Sequence, residues 1–144
     1  MDSSLKELFD KTFNLSPEDK VQIARQAMFE INQYLESINC TEEQIAMFIA
    51  NLTRLFVAVD TRTAEDEYDF FLAVTRVNIT PSYFLKMVED GSEPKFVNDT
   101  INLIKTFDHD ARLSILTYGM MFMSCDDYFH FKETALIKRF LEIL

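Results

Sequence analysis

A chain of 144 residues with 48% apolar side chains has the length of one domain, long enough to bury a real core without disulfide staples. Its 24 acidic against 14 basic residues, a formal charge of −10, disfavour direct binding to a nucleic-acid backbone, which depends on clustered Lys and Arg. Only two Gly and three Pro argue against a many-turned sheet protein, and two cysteines outside any CxxC pair argue against a disulfide framework or a thiol-redox motif.

The opening SSLKELFDKTF spaces Leu5, Leu8 and Phe9 as a helix does, so residues 1–16 are expected to hold a short N-terminal helix and its connection. Ser16-Pro17-Glu18-Asp19 is a clearer start. A serine there accepts a backbone N–H, Pro17 suits the first helical position, and the acids sit where the helix dipole favours them. Val21, Ala24, Met28, Ile31 and Leu35 continue the apolar face to about residue 37.

Thr41-Glu42-Glu43-Gln44 has the form of a capping box. Behind it Ile45, Phe48, Ile49, Leu52, Leu55, Phe56 and Val59 form a broad apolar stripe, interrupted by no charge except Arg54, which predicts a central helix. After Asp60, Thr63 is placed to cap a helix through Phe70, Phe71, Val74 and Val77 to about Asn78. Thr80-Pro81 opens a short helix to Glu89, with Gly91 at the left-handed position that ends it, and Ser92 opens another whose inner side carries Phe96, Val97, Thr100, Ile101, Ile104 and Phe107.

Asp110 is expected to cap a second central helix over about 111–125. Leu113, Ile115, Leu116, Met120, Phe122 and Met123 surround it so widely that burial on most sides follows, with the methionines filling core. Gly119 would let the two central helices approach closely. The last helix, about 131–143, anchors the C-terminal segment through Leu136, Ile137, Phe140 and Leu141. The expected fold class is all-α, a single-domain bundle of about seven helices spanning residues 1–144.

The chain also echoes itself. Two stretches, residues 47–77 and 113–144, align at an offset of 66, with Asp60 on Asp126, Glu67 on Glu133, Ile49 on Ile115 and Phe56 on Phe122. Each copy reads hydrophobic helix, acidic bend, helix, which predicts an approximate internal duplication. A short bend draws its aspartate and glutamate toward one point, and hard cations take six to eight oxygen ligands, so a divalent cation such as calcium is the candidate ligand. The candidate ligands are Asp60 and Glu67 in one copy and Asp126, Asp127 and Glu133 in the other. The spacing is not an EF-hand, and acids at helix starts are stabilising with no metal present.

VAVDTRTAEDE (57–67) and MSCDDYFHFKE (123–133) together resemble the bends of the TerB-like family, the tellurite-resistance-associated helical modules. Where that family has glycine, this chain has Thr61 and Asp127. The resemblance implies an all-helical globule without enzymatic activity, a link to divalent cations, and an adaptor role in envelope-associated or stress-related assemblies. Under it, Asp60, Glu67, Asp126 and Glu133 inherit the family positions.

No Ser, Cys or His has a partner at a diagnostic catalytic spacing. The leading expectation is therefore a non-enzymatic interaction module with no cofactor beyond that cation. Residues 1–72 carry net −8 and residues 73–144 net −2, so the first half offers the acidic face, with Glu65, Asp66 and Asp69 as the candidate partner surface. One competing reading is an acidic inhibitor or immunity-type protein that masks a basic enzyme; another is a metal-dependent enzyme built on Asp126, Asp127, His130 and Glu133. No apolar run approaches the roughly 20 residues of a membrane span and no basic, apolar leader opens the chain, so a cytoplasmic location is expected.

Overall fold

Ser16 Oγ accepts the Asp19 N–H at 3.1 Å, and with Pro17 in the first turn the chain enters α1, Pro17–Ser37. The helix closes on a left-handed Asn39, φ 67°: Asn39 N–H reaches the Glu36 carbonyl and Cys40 N–H the Leu35 carbonyl, both at 3.0 Å. This pair of bonds is the Schellman arrangement, and asparagine is among the residues that tolerate it. The predicted capping box then forms as a reciprocal pair: Gln44 N–H donates to Thr41 Oγ1 at 3.2 Å and Thr41 N–H to Gln44 Oε1 at 2.8 Å. It starts α2, Glu42–Val57.

The computed structural model describes residues 7, 11–12, 14–57, 64–91, 93–124 and 131–143, with the side chains of 64–67, 88, 91 and 131–134 outside that description. Most of the helix expected over residues 1–16 falls outside it too. Among the described residues all regular structure is helical: α3 Ala64–Thr75, α4 Pro81–Gly91, α5 Pro94–Ile104, α6 His109–Met123 and α7 Phe131–Ile143 follow α1 and α2. The chain is an all-α, single-domain bundle.

Four boundaries differ from expectation, the first being the start of α5, whose N-cap is Glu93 and not Ser92. Gly91 ends α4 without a positive φ, and among the described residues the left-handed ones are Asn39 and Arg76. Arg76, φ 57°, stops α3 at Thr75, whose Oγ1 takes the Val77 N–H at 3.2 Å, so Val77 leaves the helix and is exposed instead of joining the core. The cap of α6 is Asp108, not Asp110. Its Oδ1 accepts from Ala111 N–H at 2.8 Å, which leaves Asp110 in the first turn and Leu113 at the surface.

The predicted partnership of the two central helices is present, with Gly119 of α6 against the Phe56 ring of α2. The larger interface of α6, however, is with α1. The two run antiparallel: Lys20 Nζ donates to the Ser124 carbonyl at 2.6 Å, Ser114 Oγ to Glu30 Oε2 at 2.7 Å, and Asp108 N–H to Tyr34 OH at 3.3 Å. Most of α6 is buried on all sides, Met120, Met121 and Met123 included.

Helix boundaries recur at the offset of 66. Moved by that amount, α2 falls on 108–123 and α3 on 130–141, against α6 at His109–Met123 and α7 at Phe131–Ile143. Across the core Phe56 of α2 meets Phe140 of α7 with ring centroids 5.5 Å apart, and Phe122 of α6 meets Phe70 of α3 at 4.9 Å. Each first helix therefore packs an aromatic ring against the second helix of the other half.

Basic side chains close helix ends that belong to other elements. Neither α3, α6 nor α7 has a basic residue in its own last turn. Arg25 donates to the Ala73 carbonyl at the end of α3, Lys20 to Ser124 at the end of α6, and Arg112 to Ile143 at the end of α7. A cation at a helix C-terminus opposes the partial negative charge there, so these three contacts tie sequence-distant elements while satisfying carbonyls that the helices leave unpaired.

Candidate functional site

Ala46 and Ala50 lie on one face of α2, where short side chains leave space beside the helix. On the far side, residues 76–80 run without helical structure between α3 and α4. The result is a groove of ≈540 Å³ bounded by α1, α2, α4 and the end of α3 with its connection. Ile45, Phe71, Met87 and Thr53 are buried in its floor, and Met28, Ile49 and Ile79 line the walls.

The rim is unusually apolar for a charged protein. Val77, which lines the groove, is 50% exposed and Tyr83 51%. Large apolar side chains gathered around a concavity mark a ligand or partner site more specifically than scattered ones do.

The walls are held in place. Tyr68 OH donates to the Ile79 carbonyl at 2.5 Å, which fixes the non-helical connection, and the Arg25 bond to Ala73 holds α3 against α1. Under the floor Thr53 Oγ1 donates to Ile49 O at 2.8 Å and lies 2.7 Å from the Tyr118 hydroxyl.

Burial pushes the Tyr118 phenol up from its ordinary range, and the Thr53 bond offsets only part of that. The folded protein thus keeps this hydroxyl protonated where the unfolded chain ionises, near pH ~10. Its contribution is intact below that pH and is lost as pH rises beyond it. Relative to Tyr118→Phe, the wild-type protein is expected to lose stability more steeply in alkali, by up to about 1.4 kcal/mol per pH unit. Urea unfolding of both proteins at neutral and alkaline pH measures this, and equal slopes would mean that the hydroxyl is not sealed from water.

Charge is distributed with direction along the groove. Glu36 and Glu42 line it near the turn between α1 and α2. Arg54 lines its other part, where a smaller cavity of ≈170 Å³ continues it between Arg54, Tyr83, Lys86, Met87 and Asp90.

Of the metal-site and partner-surface residues singled out from sequence, Asp69 is the one whose side chain is described. Asp60, Asp126, Asp127 and His130 lie outside the described residues, as do the side chains of Glu65, Asp66, Glu67 and Glu133. Asp69 is exposed on α3 and does not line the groove. Among the described residues no group of three or more His, Cys, Asp or Glu side chains is placed to hold a metal ion, and no helix is long and apolar enough to cross a membrane.

No known protein family, curated protein or solved structure matches the chain. The site therefore has to be read from its own chemistry. Every acidic side chain among the described residues is exposed, whereas Lys20 is buried and Arg25, Arg54 and Arg112 are half-buried. The groove offers an apolar trough with charged ends and, among the residues lining it, no nucleophile paired with a base.

Proposed function

We propose that this chain is a non-enzymatic protein-interaction module that receives an apolar segment of a partner protein in the groove between α1, α2 and α4. The observation that carries the reading is the exposed apolar rim of Val77 and Tyr83 over a trough whose walls are already pinned. A preformed site spares the partner the ordering cost that a collapsed one would impose. The exposed acids support an acidic surface and favour a partner with basic character, whose capture weakens as salt rises. The recurrence of helix boundaries at an offset of 66 is in keeping with the TerB-like resemblance and with an adaptor role.

Ala50→Arg places a long cation in the trough at a half-buried position of α2. Peptides enriched on the wild-type protein from a random display library are expected to bind this variant at least about tenfold more weakly, a loss of about 1.4 kcal/mol. Thermal unfolding of the variant checks that the bundle persists. Enriched peptides that bind both proteins equally well would place the interaction surface elsewhere.

A further inference from the structure

The groove's ends carry opposite charge, and the spacing between them sets what fits. Glu36 and Glu42 stand at one end, and Arg54 and Lys86, with Asp90 beside them, leave a net positive charge at the other. Along α2 the twelve residue steps from Glu42 to Arg54 span about 18 Å at roughly 1.5 Å per step, close to three turns of a second helix laid alongside. A trough of that length with small residues on its wall matches the way an amphipathic helix docks through side chains at i, i+3, i+4 and i+7.

We infer that the partner segment is an amphipathic helix of about three turns with a basic residue at one end of its apolar stripe and an acidic residue at the other. This rests on the docking reading above and adds the chemistry of the occupant. The basic end lies over Glu36 and Glu42 and the acidic end over Arg54 and Lys86. The apolar side chains between them fill the space beside Ala46 and Ala50. Charge at both ends also fixes the segment's direction in the groove, which an apolar stripe alone leaves open.

Four synthetic helical peptides with one shared apolar stripe test this, their ends carrying Lys and Glu, Lys and Lys, Glu and Glu, or Gln and Gln. Binding is followed by fluorescence anisotropy, and its location by the methyl signals of Met28 and Met87 in protein labelled at methionine methyls. The Lys and Glu peptide is expected to bind the wild-type protein best, with each mismatched end costing about fivefold.

The E36K/E42K variant should then prefer the Glu and Glu peptide, and the R54E/K86E variant the Lys and Lys peptide. All four altered positions are on helix surfaces or half-exposed, so unfolding curves close to wild type are expected of both variants. Peptides that shift the groove methyls with equal affinity whatever their end charges would overturn the charge-matched helix while leaving the docking groove in place. If no peptide shifts those methyls, or if they shift with protein concentration alone because a second copy fills the groove, the docking reading falls as well.

Discussion

Phe56→Ala is expected to cost about 3–5 kcal/mol of folding stability, the range for deleting a fully enclosed aromatic ring. Phe56 is 1% exposed and touches two further rings, Phe140 at 5.5 Å and Tyr118 at 6.4 Å, so the loss removes the piece that joins α2, α6 and α7. Gly119→Ala acts on the same spot from the other side. Alanine is the better helix former by about 1 kcal/mol, so on an exposed face the change would stabilise. Here the new Cβ would lie 2.2 Å from Cε1 and 2.3 Å from Cζ of Phe56, and the enclosed ring has no room to retreat. Overpacking of that degree costs about 1–3 kcal/mol. The double variant supplies the decisive measurement. With Phe56 truncated, the methyl added at position 119 enters the space the ring vacated, so the pair should be less destabilised than the sum of the single changes, by about 1 kcal/mol or more in urea unfolding. Strict additivity would mean that this contact does not set the distance between the helices.

The elements legible from sequence were those decided within one turn of the chain. Ser16 with Pro17, the Thr41 to Gln44 box, and Thr80 with Pro81 each bring their own cap, and all three start helices where expected, Tyr83 N–H reaching Thr80 Oγ1 at 3.2 Å. The α6 start was different because Asp108 and Asp110 are both plausible caps. The choice is made by α1, whose Tyr34 hydroxyl accepts the Asp108 N–H from 74 positions away. Likewise nothing local distinguishes Val77 from the apolar residues before it. Arg76 adopts the left-handed conformation, a position where sequence reasoning looks first for glycine.

The groove was less legible than the helices that form it, and for a physical reason. Sequence reasoning looks first for chemistry-bearing side chains, and this groove is made by side chains that are short or absent from the space they border. One signal was present. The apolar stripe of α2 is wider than one interface requires, running from Ile45 through Ile49 on one edge to Phe48, Leu55 and Phe56 on the other. Ile45, Leu52, Leu55 and Phe56 serve the core, and the surplus at Ala46, Ile49 and Ala50 faces the groove. Breadth of an apolar face beyond what its neighbours cover is the feature that would have found it.

Lys20→Met is expected to cost about 3 kcal/mol, more than its place in the first turn of a surface-capped helix would suggest. Lys20 is 2% exposed, and its ammonium donates to the Ser124 carbonyl, itself buried at the C-cap of α6. Methionine keeps the length and apolar character of the stem, so packing is largely retained. What disappears is a charged donor. Leaving the Ser124 carbonyl unpaired costs about 1–3 kcal/mol, and removing the cation that faces the helix's negative end adds up to about 2 kcal/mol. The last turn of α6 has no basic residue of its own to substitute. Hydrogen exchange should therefore quicken most at the amides of Met120 to Ser124, ahead of the middle of α1. A near-neutral change in urea unfolding with unaltered exchange there would show instead that the Lys20 contact does not hold the end of α6. The expected result makes the start of α1 the clamp on the end of α6, so that the core helix is held at its last carbonyls by a residue 104 positions earlier in the chain.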